Sequence, residues 1–212
     1  GRAEQMIGRV IAGQRETVFL VSKVAPSHAT VTGMRQACAA SLARLGTDYL
    51  DLYLLHWRSG ADLGVVVQTF DSLRAEGRIR RWGVSNFAVA DMEDLYRVPG
   101  GEACATNQVR YNLMDRRIEQ ALLPWCDRHR VPIMAYSPLG TGGDLLRNPA
   151  LGRVAGRYRS SPAAIALAWT IRSGRVIAIP ESGSPAHVRE NAAALSLRLT
   201  DLDLDDLNRA VP

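Results

Sequence analysis

The chain has 212 residues, of which 47% are hydrophobic and 22% are charged, a balance that is ordinary for a soluble globular domain. The formal net charge of +5 comes mostly from scattered arginines, so we expect a solvated surface rather than a nucleic-acid site. We also expect no membrane segment and no signal peptide, because no apolar run approaches the length of a membrane helix.

Cysteine and histidine usage argues against disulfide and metal sites. The three cysteines, Cys38, Cys104 and Cys126, are odd in number and lie far apart, without a Cys-x-x-Cys pair. The four histidines show no metal-ligand spacing. We therefore predict a reducing, cytoplasmic setting and no metal site.

The first residues of the chain already have the pattern of a helix interior. Ala3, Met6, Ile7 and Val10 share one helical face, and the chain begins with Gly1 rather than with an initiator Met. From this we expect that a preceding segment of the domain is absent.

Strand and helix signals alternate along the rest of the chain. The predicted strands are Thr17–Lys23, a run that ends at His56, Ile79–Val84, Cys104–Gln108, Val131–Tyr136 and Val176–Pro180. The predicted helices run to about Ala12, from Thr30 or Thr32 to Leu45, and over Leu63–Glu76, Val89–Tyr96, Ile118–Arg130, about Leu151–Tyr158, Ser161 or Pro162 to Ile171, Pro185–Leu195 and onward from Thr200 or Asp201.

This alternation predicts an α/β fold. Strands that are mostly apolar on both faces indicate a parallel sheet covered by helices. No strand-to-helix turn carries Gly-x-Gly-x-x-Gly, which disfavours a doubly wound dinucleotide-binding fold. A (β/α)8 barrel usually has eight strands in about 250 residues. We therefore predict one domain, residues 1–212, that is a TIM-type barrel lacking its first two strands.

The stretch Leu45–Trp57 organises the functional prediction. It contains a turn followed by a short, mostly apolar run that stops at His56. A titratable ring at the carboxyl end of a buried strand is where α/β proteins place their chemistry. The alternative is a histidine that is satisfied in the core or caps a loop.

Other predicted strands also end in polar side chains, which would meet at one rim of a barrel, where barrel enzymes keep their active sites. With His56, the set is Lys23, Ser85, Asn86, Gln108, Tyr136, Glu181 and Ser182. Each type has a structural alternative, because lysines often lie in loops, a Ser-Asn pair can cap a helix and a tyrosine can simply pack. Together, a lysine and a histidine would polarise a carbonyl group, the amides would bind a carboxamide and the tyrosine would stack on a planar cofactor.

These residues lie in motifs that resemble those of the aldo-keto reductases. In the family's order the motifs are Leu-Gly-Thr-Asp-Tyr-Leu-Asp-Leu-Tyr-Leu-Leu-His-Trp at Leu45–Trp57, Gly-Val-Ser-Asn-Phe at Gly83–Phe87, Asn-Gln-Val-x-Tyr-Asn at Asn107–Asn112, Ala-Tyr-Ser-Pro-Leu-Gly at Ala135–Gly140, Ile-Pro at Ile179–Pro180 and Arg-Glu-Asn at Arg189–Asn191. The resemblance covers essentially the whole chain. It implies reduction of aldehydes and ketones by NAD(P)H on a (β/α)8 barrel, with a catalytic tetrad of Asp, Tyr, Lys and His.

The resemblance also assigns roles to individual residues. Lys23 matches the catalytic lysine, His56 matches the histidine that orients the substrate carbonyl, and Trp57 belongs to the substrate pocket. The positions that it assigns to the cofactor are Ser85, Asn86 and Gln108 at the carboxamide, Tyr136 on the nicotinamide ring, Ser137, Pro138, Leu139 and Ser182 along the pyrophosphate and ribose, Glu181 near the 2′-phosphate, and Glu190 and Asn191 at the adenine.

The first departure from the family concerns the tetrad. The family's Asp and Tyr lie on a segment before the equivalent of Gly1, and Tyr49, Tyr53 and Tyr136 are not substitutes for that tyrosine. We expect a fragment of an enzyme that has no reductase activity alone. The alternative is a non-catalytic subunit that binds a nicotinamide nucleotide and acts in regulation or interaction. An unrelated barrel hydrolase or isomerase is disfavoured by the ordered motifs.

The second departure is Glu181, which stands where many members carry a lysine that pairs with the 2′-phosphate of NADP. A carboxylate repels a phosphate but can accept hydrogen bonds from a ribose diol. We therefore predict NADP or NAD as cofactor, with Glu181 leaning toward NAD; the alternative is that Glu181 turns into solvent and NADPH is used. The partner is a small-molecule carbonyl substrate whose identity, like the oligomeric state, the sequence leaves open.

Overall fold

The computed structural model describes residues 1–211, so Pro212, the last residue of the predicted domain, lies outside the described residues. Within the described residues six strands occur along the chain, and a helix comes after each of them. This is the α/β alternation that the sequence predicts. The chain divides into two units, Gly1–Asn107 and Gln108–Pro212.

The first unit contains three parallel strands and four α-helices. The strands are β1 (Val21–Val24), β2 (Leu50–Leu55) and β3 (Ile79–Ser85). The helices are α1 (Arg2–Ile11), α2 (Val31–Leu45), α3 (Leu63–Ala75) and α4 (Val89–Arg97). Every residue of β2 is buried, as expected for a central strand covered on both faces.

Side-chain caps set the ends of the helices that flank β2. Thr30 accepts a hydrogen bond from the Gly33 amide (3.1 Å) at the start of α2, so the predicted cap is confirmed. Asp62 accepts a bond from the Gly64 amide (2.8 Å) at the start of α3. At its other end α2 closes on Gly46, whose φ of 64° is left-handed and suits a residue without a Cβ.

A buried carboxylate fixes β1 against β2. Asp51, which is 5% exposed, accepts hydrogen bonds at Oδ2 from the Leu20 amide (2.9 Å) and from Arg15 Nη2 (2.8 Å). The Asp51 amide in turn donates to the Leu20 carbonyl (3.0 Å). Because Asp51 binds both the amide and the carbonyl of Leu20, β1 and β2 pair in a fixed register, in which Lys23 lies opposite Leu54.

The second unit contains most of β4 (Asn107–Arg110) and a parallel pair, β5 (Ile133–Tyr136) and β6 (Val176–Ala178). Its helices are α5 (Leu122–His129), α6 (Pro149–Tyr158), α7 (Pro162–Ile171), α8 (Pro185–Ala193) and α9 (Asp201–Ala210). Residues 164–170 of α7 are all buried and form the middle of this unit's core. Ser161 caps α7 and Pro162 occupies its first turn, as predicted.

The predicted start of β1 is wrong. The sequence favours a strand from Thr17, but residues 15–17 form a 3-10 turn and β1 begins at Val21. The Thr17 hydroxyl donates to the Gln14 carbonyl (2.8 Å), and Arg15 donates to the Val18 carbonyl (3.0 Å). These local bonds compete with a strand.

The predicted bounds of β4 are also wrong. A 3-10 turn occupies Gly101–Ala103, and β4 starts at Asn107 rather than at Cys104. As a result Gln108 lies inside its strand and does not end it. Further elements are shorter than predicted. β5 starts after Pro132, which has no amide to donate, and β6 ends before Pro180. The helix α5 starts at Leu122 rather than at Ile118, and α8 ends at Ala193 rather than at Leu195.

Replacement of Asp51 by Asn should lower the free energy of unfolding by about 2 kcal/mol, because Arg15 loses its carboxylate partner inside the protein. Urea denaturation measures this change. Asp48→Asn, the same substitution at an exposed position in the turn before β2, is the control and should change stability by less than about 0.5 kcal/mol. Equal effects of the two substitutions would contradict the role of Asp51.

Candidate active site

Lys23 and His56 line the same cleft, of about 730 Å³, at the carboxyl ends of β1 and β2. Lys23 pairs with Leu54 in the parallel ladder, and His56 comes two residues later, so the two side chains project from the same face of the sheet. The His56 amide donates to the Val24 carbonyl (3.0 Å), which extends the ladder past the end of β2. The structure therefore brings together the two residues that the sequence assigns to catalysis.

Burial lowers the pKa of both side chains. The Lys23 ammonium is partly withdrawn from water, which disfavours its charged form and lowers its pKa. For His56, burial is the larger cause and the positive charge of Lys23 is the second, and both lower its pKa below 6.5. His56 is therefore neutral at pH 7, with one protonated ring nitrogen that can donate a hydrogen bond.

The loop after His56 carries an exposed aromatic ring on an anchored backbone. Trp57 is 45% exposed, and its ring contacts that of His56, with centroids 4.6 Å apart. The next residue, Arg58, donates to Asp91 (2.9 Å) and to Asp94 (2.7 Å) of α4. These ion pairs hold the loop so that an apolar surface stays beside the imidazole.

Ser85 and Asn86 form a strained turn at the end of β3. Asn86 has a φ of 58°, a left-handed conformation that asparagine tolerates better than most residues. Its Nδ2 lies 3.1 Å from the His56 carbonyl oxygen and 3.2 Å from Ser85 Oγ. The alternative in which this pair caps α4 is wrong, because Ala88 is the N-cap and its amide donates to Asp91 (2.9 Å).

The sequence prediction does not include Asn107, whose side chain holds the turn that follows β3. This side chain is fully buried. Its Nδ2 donates to the Phe87 carbonyl (2.9 Å), and its Oδ1 accepts from the Phe87 amide (3.4 Å). Asn107 belongs to the motif Asn107–Asn112, but only the pairing in space distinguishes it from the neighbouring Gln108.

In the second unit, Gln108 and Tyr136 lie on β4 and β5. Gln108 is 4% exposed, and its Nε2 lies 3.9 Å from the sulfur of Met134. Tyr136 is half-buried at the end of β5, so one part of its ring remains open to solvent. The prediction that Tyr136 ends its strand is confirmed, whereas the same prediction for Gln108 is wrong.

The segment after Tyr136 is a turn fixed by a second buried asparagine. Ser137 has a left-handed φ of 48°, and its carbonyl accepts from Asn112 Nδ2 (2.9 Å) and from the Gly140 amide (2.9 Å). Pro138 is buried, and Leu139 packs against a cluster formed by α7 and by Ala194, which follows α8. Asn112 was also missed as a contributor, although the motif that identifies the family ends on it.

The residues assigned to the rest of the cofactor surround the start of α8. Ser182 Oγ accepts from the Ser184 amide (3.1 Å), and Ser184 accepts from His187 N (3.5 Å) at the first turn of α8. Glu181 and Glu190 are exposed. Asn191 is half-buried and lines an apolar cleft of about 500 Å³ beside β6.

A second cleft of this unit, of about 780 Å³, includes none of the predicted site residues. Its arginines are compensated by neighbouring acids. Arg117 donates to Asp115 (2.7 Å) and Arg116 donates to Glu119 (3.1 Å). With its charges paired in this way, the cleft offers no surplus of positive charge for an anion.

Within residues 1–211, no group of His, Cys, Asp and Glu side chains could hold a metal ion. In the same range, each helix is too short or too polar to cross a membrane. All three cysteines are buried, and none of them forms a disulfide.

Sequence comparison identifies related proteins along the whole chain. A model described as the aldo/keto reductase family matches residues 1–212. The chain is 48% identical over 216 residues to methylglyoxal reductase YeaE of Escherichia coli (strain K12), which covers 100% of this chain and 76% of that protein. It is 35% identical over 195 residues to the uncharacterized oxidoreductase YtbE of Bacillus subtilis (strain 168), and this alignment covers 92% of this chain and 67% of that protein.

Structural comparison gives the same result. The chain superposes with a TM-score of 0.97 on an aldo/keto reductase from Klebsiella pneumoniae in complex with NADP and acetate, at 48% identity over 99% of this chain and 76% of that one. An aldo/keto reductase from Brucella melitensis superposes with a TM-score of 0.87 at 32% identity, over 98% of this chain and 80% of that one.

Replacement of Lys23 by Met should raise the pKa of His56, because it removes a positive charge that disfavours the imidazolium. The pKa should stay below 6.5, since burial, the larger cause of the shift, remains. Lys23→Arg keeps the charge and is the control, with no rise expected. NMR titration of the His56 ring measures all three proteins, and an unchanged pKa in Lys23→Met would show that the two groups are not coupled.

Proposed function

We propose that this chain, which belongs to the aldo/keto reductase family, binds NADP(H) and carries part of the machinery for reducing a small carbonyl compound. The chain is of the oxidoreductase type that the family defines. The observation that carries the proposal is the Lys23–His56 pair, in which a desolvated ammonium lies beside a neutral imidazole.

His56 acts on the substrate through its protonated ring nitrogen. A neutral imidazole can donate a hydrogen bond to a carbonyl oxygen without the desolvation penalty of a charged one. The Lys23 charge is the second cause, after burial, that lowers the pKa of His56, and it adds positive potential where negative charge develops on that oxygen. Trp57 supplies the apolar surface beside the reacting group.

The cofactor assignment rests on NADP and NADPH complexes of relatives that are 48% identical to this chain. When bound, NADPH supplies the hydride. In the first unit Ser85 and Asn86 offer hydroxyl and amide groups suited to the carboxamide. In the second unit the roles predicted from the family pass to Gln108 at the carboxamide, Tyr136 on the ring, Ser137, Pro138, Leu139 and Ser182 along the pyrophosphate and ribose, and Glu190 and Asn191 at the adenine.

Glu181 bears on the choice between NADP and NAD. Its carboxylate is exposed, so it can turn into solvent and leave room for a 2′-phosphate, which agrees with the NADP complexes of the relatives. A preference for NAD caused by Glu181 stays a prediction. The ratio of the dissociation constants for NADPH and NADH in the wild type and in Glu181→Lys measures it, and an unchanged ratio removes Glu181 from cofactor choice.

The proposed substrate class is a small aldehyde or 2-oxoaldehyde. A relative with 48% identity is named methylglyoxal reductase, and methylglyoxal is a small 2-oxoaldehyde. The single domain over residues 1–212 and the cytoplasmic setting remain predictions.

The 212-residue polypeptide is expected to bind NADPH without turning over substrate. Lys23 and His56 match two members of the family's tetrad, and no residue of the printed sequence matches its Asp and Tyr at the family's spacing. Without the tyrosine no positioned acid protonates the substrate oxygen, a contribution of about 10²–10⁴-fold in rate.

Two assays on the purified chain test this proposal. Titration with NADPH, followed by its fluorescence, should saturate, and NADPH oxidation with methylglyoxal and a panel of aldehydes should stay at the rate without protein. The double substitution Lys23→Met, His56→Leu should leave NADPH consumption unchanged. Turnover that depends on these residues would contradict the incomplete tetrad, and no saturable binding would contradict the cofactor assignment.

A further inference from the structure

The turn that follows β3 is held by a side chain from another segment. Both hydrogen-bonding groups of the Phe87 peptide, its amide and its carbonyl, are bound by the amide of Asn107 (3.4 and 2.9 Å). Asn107 is fully buried and Phe87 is 1% exposed. In such surroundings water does not replace a lost partner easily, so this two-point contact strongly restricts the Phe87 peptide.

Phe87 directly follows Asn86, the residue with the left-handed backbone. A left-handed non-glycine residue costs of order 1 kcal/mol or more and persists only where its surroundings hold it. The bond from Asn107 to the Phe87 amide and carbonyl fixes the peptide on the carboxyl side of Asn86. On its other side Asn86 continues β3 through Ser85, which is also buried.

The orientation of the Asn86 side chain depends on this backbone. From its left-handed position Asn86 points its Nδ2 to the His56 carbonyl (3.1 Å) and to Ser85 Oγ (3.2 Å). If the Phe87 peptide were released, Asn86 could relax to a right-handed conformation and its amide would leave both acceptors. Asn107 thus holds the turn that carries two residues which the proposed function places at the nicotinamide carboxamide.

We propose that Asn107 is a positioning residue, which holds the turn of Ser85, Asn86 and Phe87 in the shape that binds the nicotinamide carboxamide. The inference deepens the proposed function and rests on it. It predicts that substitution of Asn107 weakens only the contacts made by the nicotinamide end of NADPH. A merely structural role would weaken the binding of the nicotinamide and adenine ends alike.

The test compares two ligands on one preparation of the whole chain. Isothermal titration gives the dissociation constants of NADPH and of 2′-phospho-ADP-ribose, which lacks the nicotinamide. Asn107→Ala should weaken NADPH about tenfold, the value of roughly one hydrogen bond, and should change the constant for 2′-phospho-ADP-ribose less than about twofold. Because the ratio of the two constants is measured on the same sample, a partly unfolded fraction cancels.

A second variant and a matched control complete the design. Asn107→Ser keeps a polar group at this buried position, so it should fold even if Asn107→Ala does not, and it should shift the ratio in the same direction by an equal or smaller factor. The control is Asn208→Ser. Asn208 lies in α9, and its side-chain oxygen accepts a hydrogen bond from the Trp169 indole of α7 (3.0 Å). This substitution should leave the ratio of the two dissociation constants unchanged.

The outcomes separate the inference from the function on which it rests. A shifted ratio in the Asn107 variants alone supports the positioning role. Equal weakening of both ligands, no weakening, or the same shift in Asn208→Ser overturns it while the cofactor assignment stands. If the wild type binds neither NADPH nor 2′-phospho-ADP-ribose, the proposed function fails, and the inference fails with it.

Discussion

The register of β1 against β2 is the constraint on which the placement of Lys23 and His56 depends. Asp51 sets it at the entry to the sheet, where its carboxylate and its amide both bind Leu20. The same register places Lys23 opposite Leu54 at the far end. A slip of one residue would send Lys23 to the other face of the sheet, and His56 would lose one of the two causes that lower its pKa. A structural carboxylate at one end of the strands thus determines the chemistry at the other end.

Buried amides play the corresponding part for the loops. Asn107 holds the peptide after Asn86, and Asn112 holds the carbonyl of Ser137. Asn86 and Ser137 both have left-handed backbones, which need support from their surroundings. In each case the polar residue assigned to the cofactor is presented by a strained turn, and the turn is held by an asparagine that has no assigned role in the family motifs. Positioning and contact are therefore divided between different residues.

The sequence predicts the fold class, the six strands and the placement of Lys23 and His56 near the ends of neighbouring strands, because buried strands and helix caps have strong local signals; it does not predict the part that Asp51 plays in their register. Thr30 and Ser161 are caps that could be read directly. The sequence fails where local bonds compete with a strand, as at Thr17, and where burial of a polar side chain depends on a distant partner. Gln108 and Asn107 are adjacent and similar in type, and only the bond of Asn107 to Phe87 shows that one of them positions a loop. Contacts between residues about twenty positions apart leave no pattern of period two or 3.6.

The cofactor assignment is tested most directly by NMR mapping of NADP⁺ on the isotope-labelled chain. It predicts saturable shift changes at the backbone amides of Ser85 and Asn86, at the Gln108 side chain and in the turn after Tyr136. It predicts no comparable change in the charged cleft around Arg116 and Arg117. Shifts confined to that cleft, or no saturable shifts at all, would contradict the assignment of these strand ends to a nicotinamide cofactor.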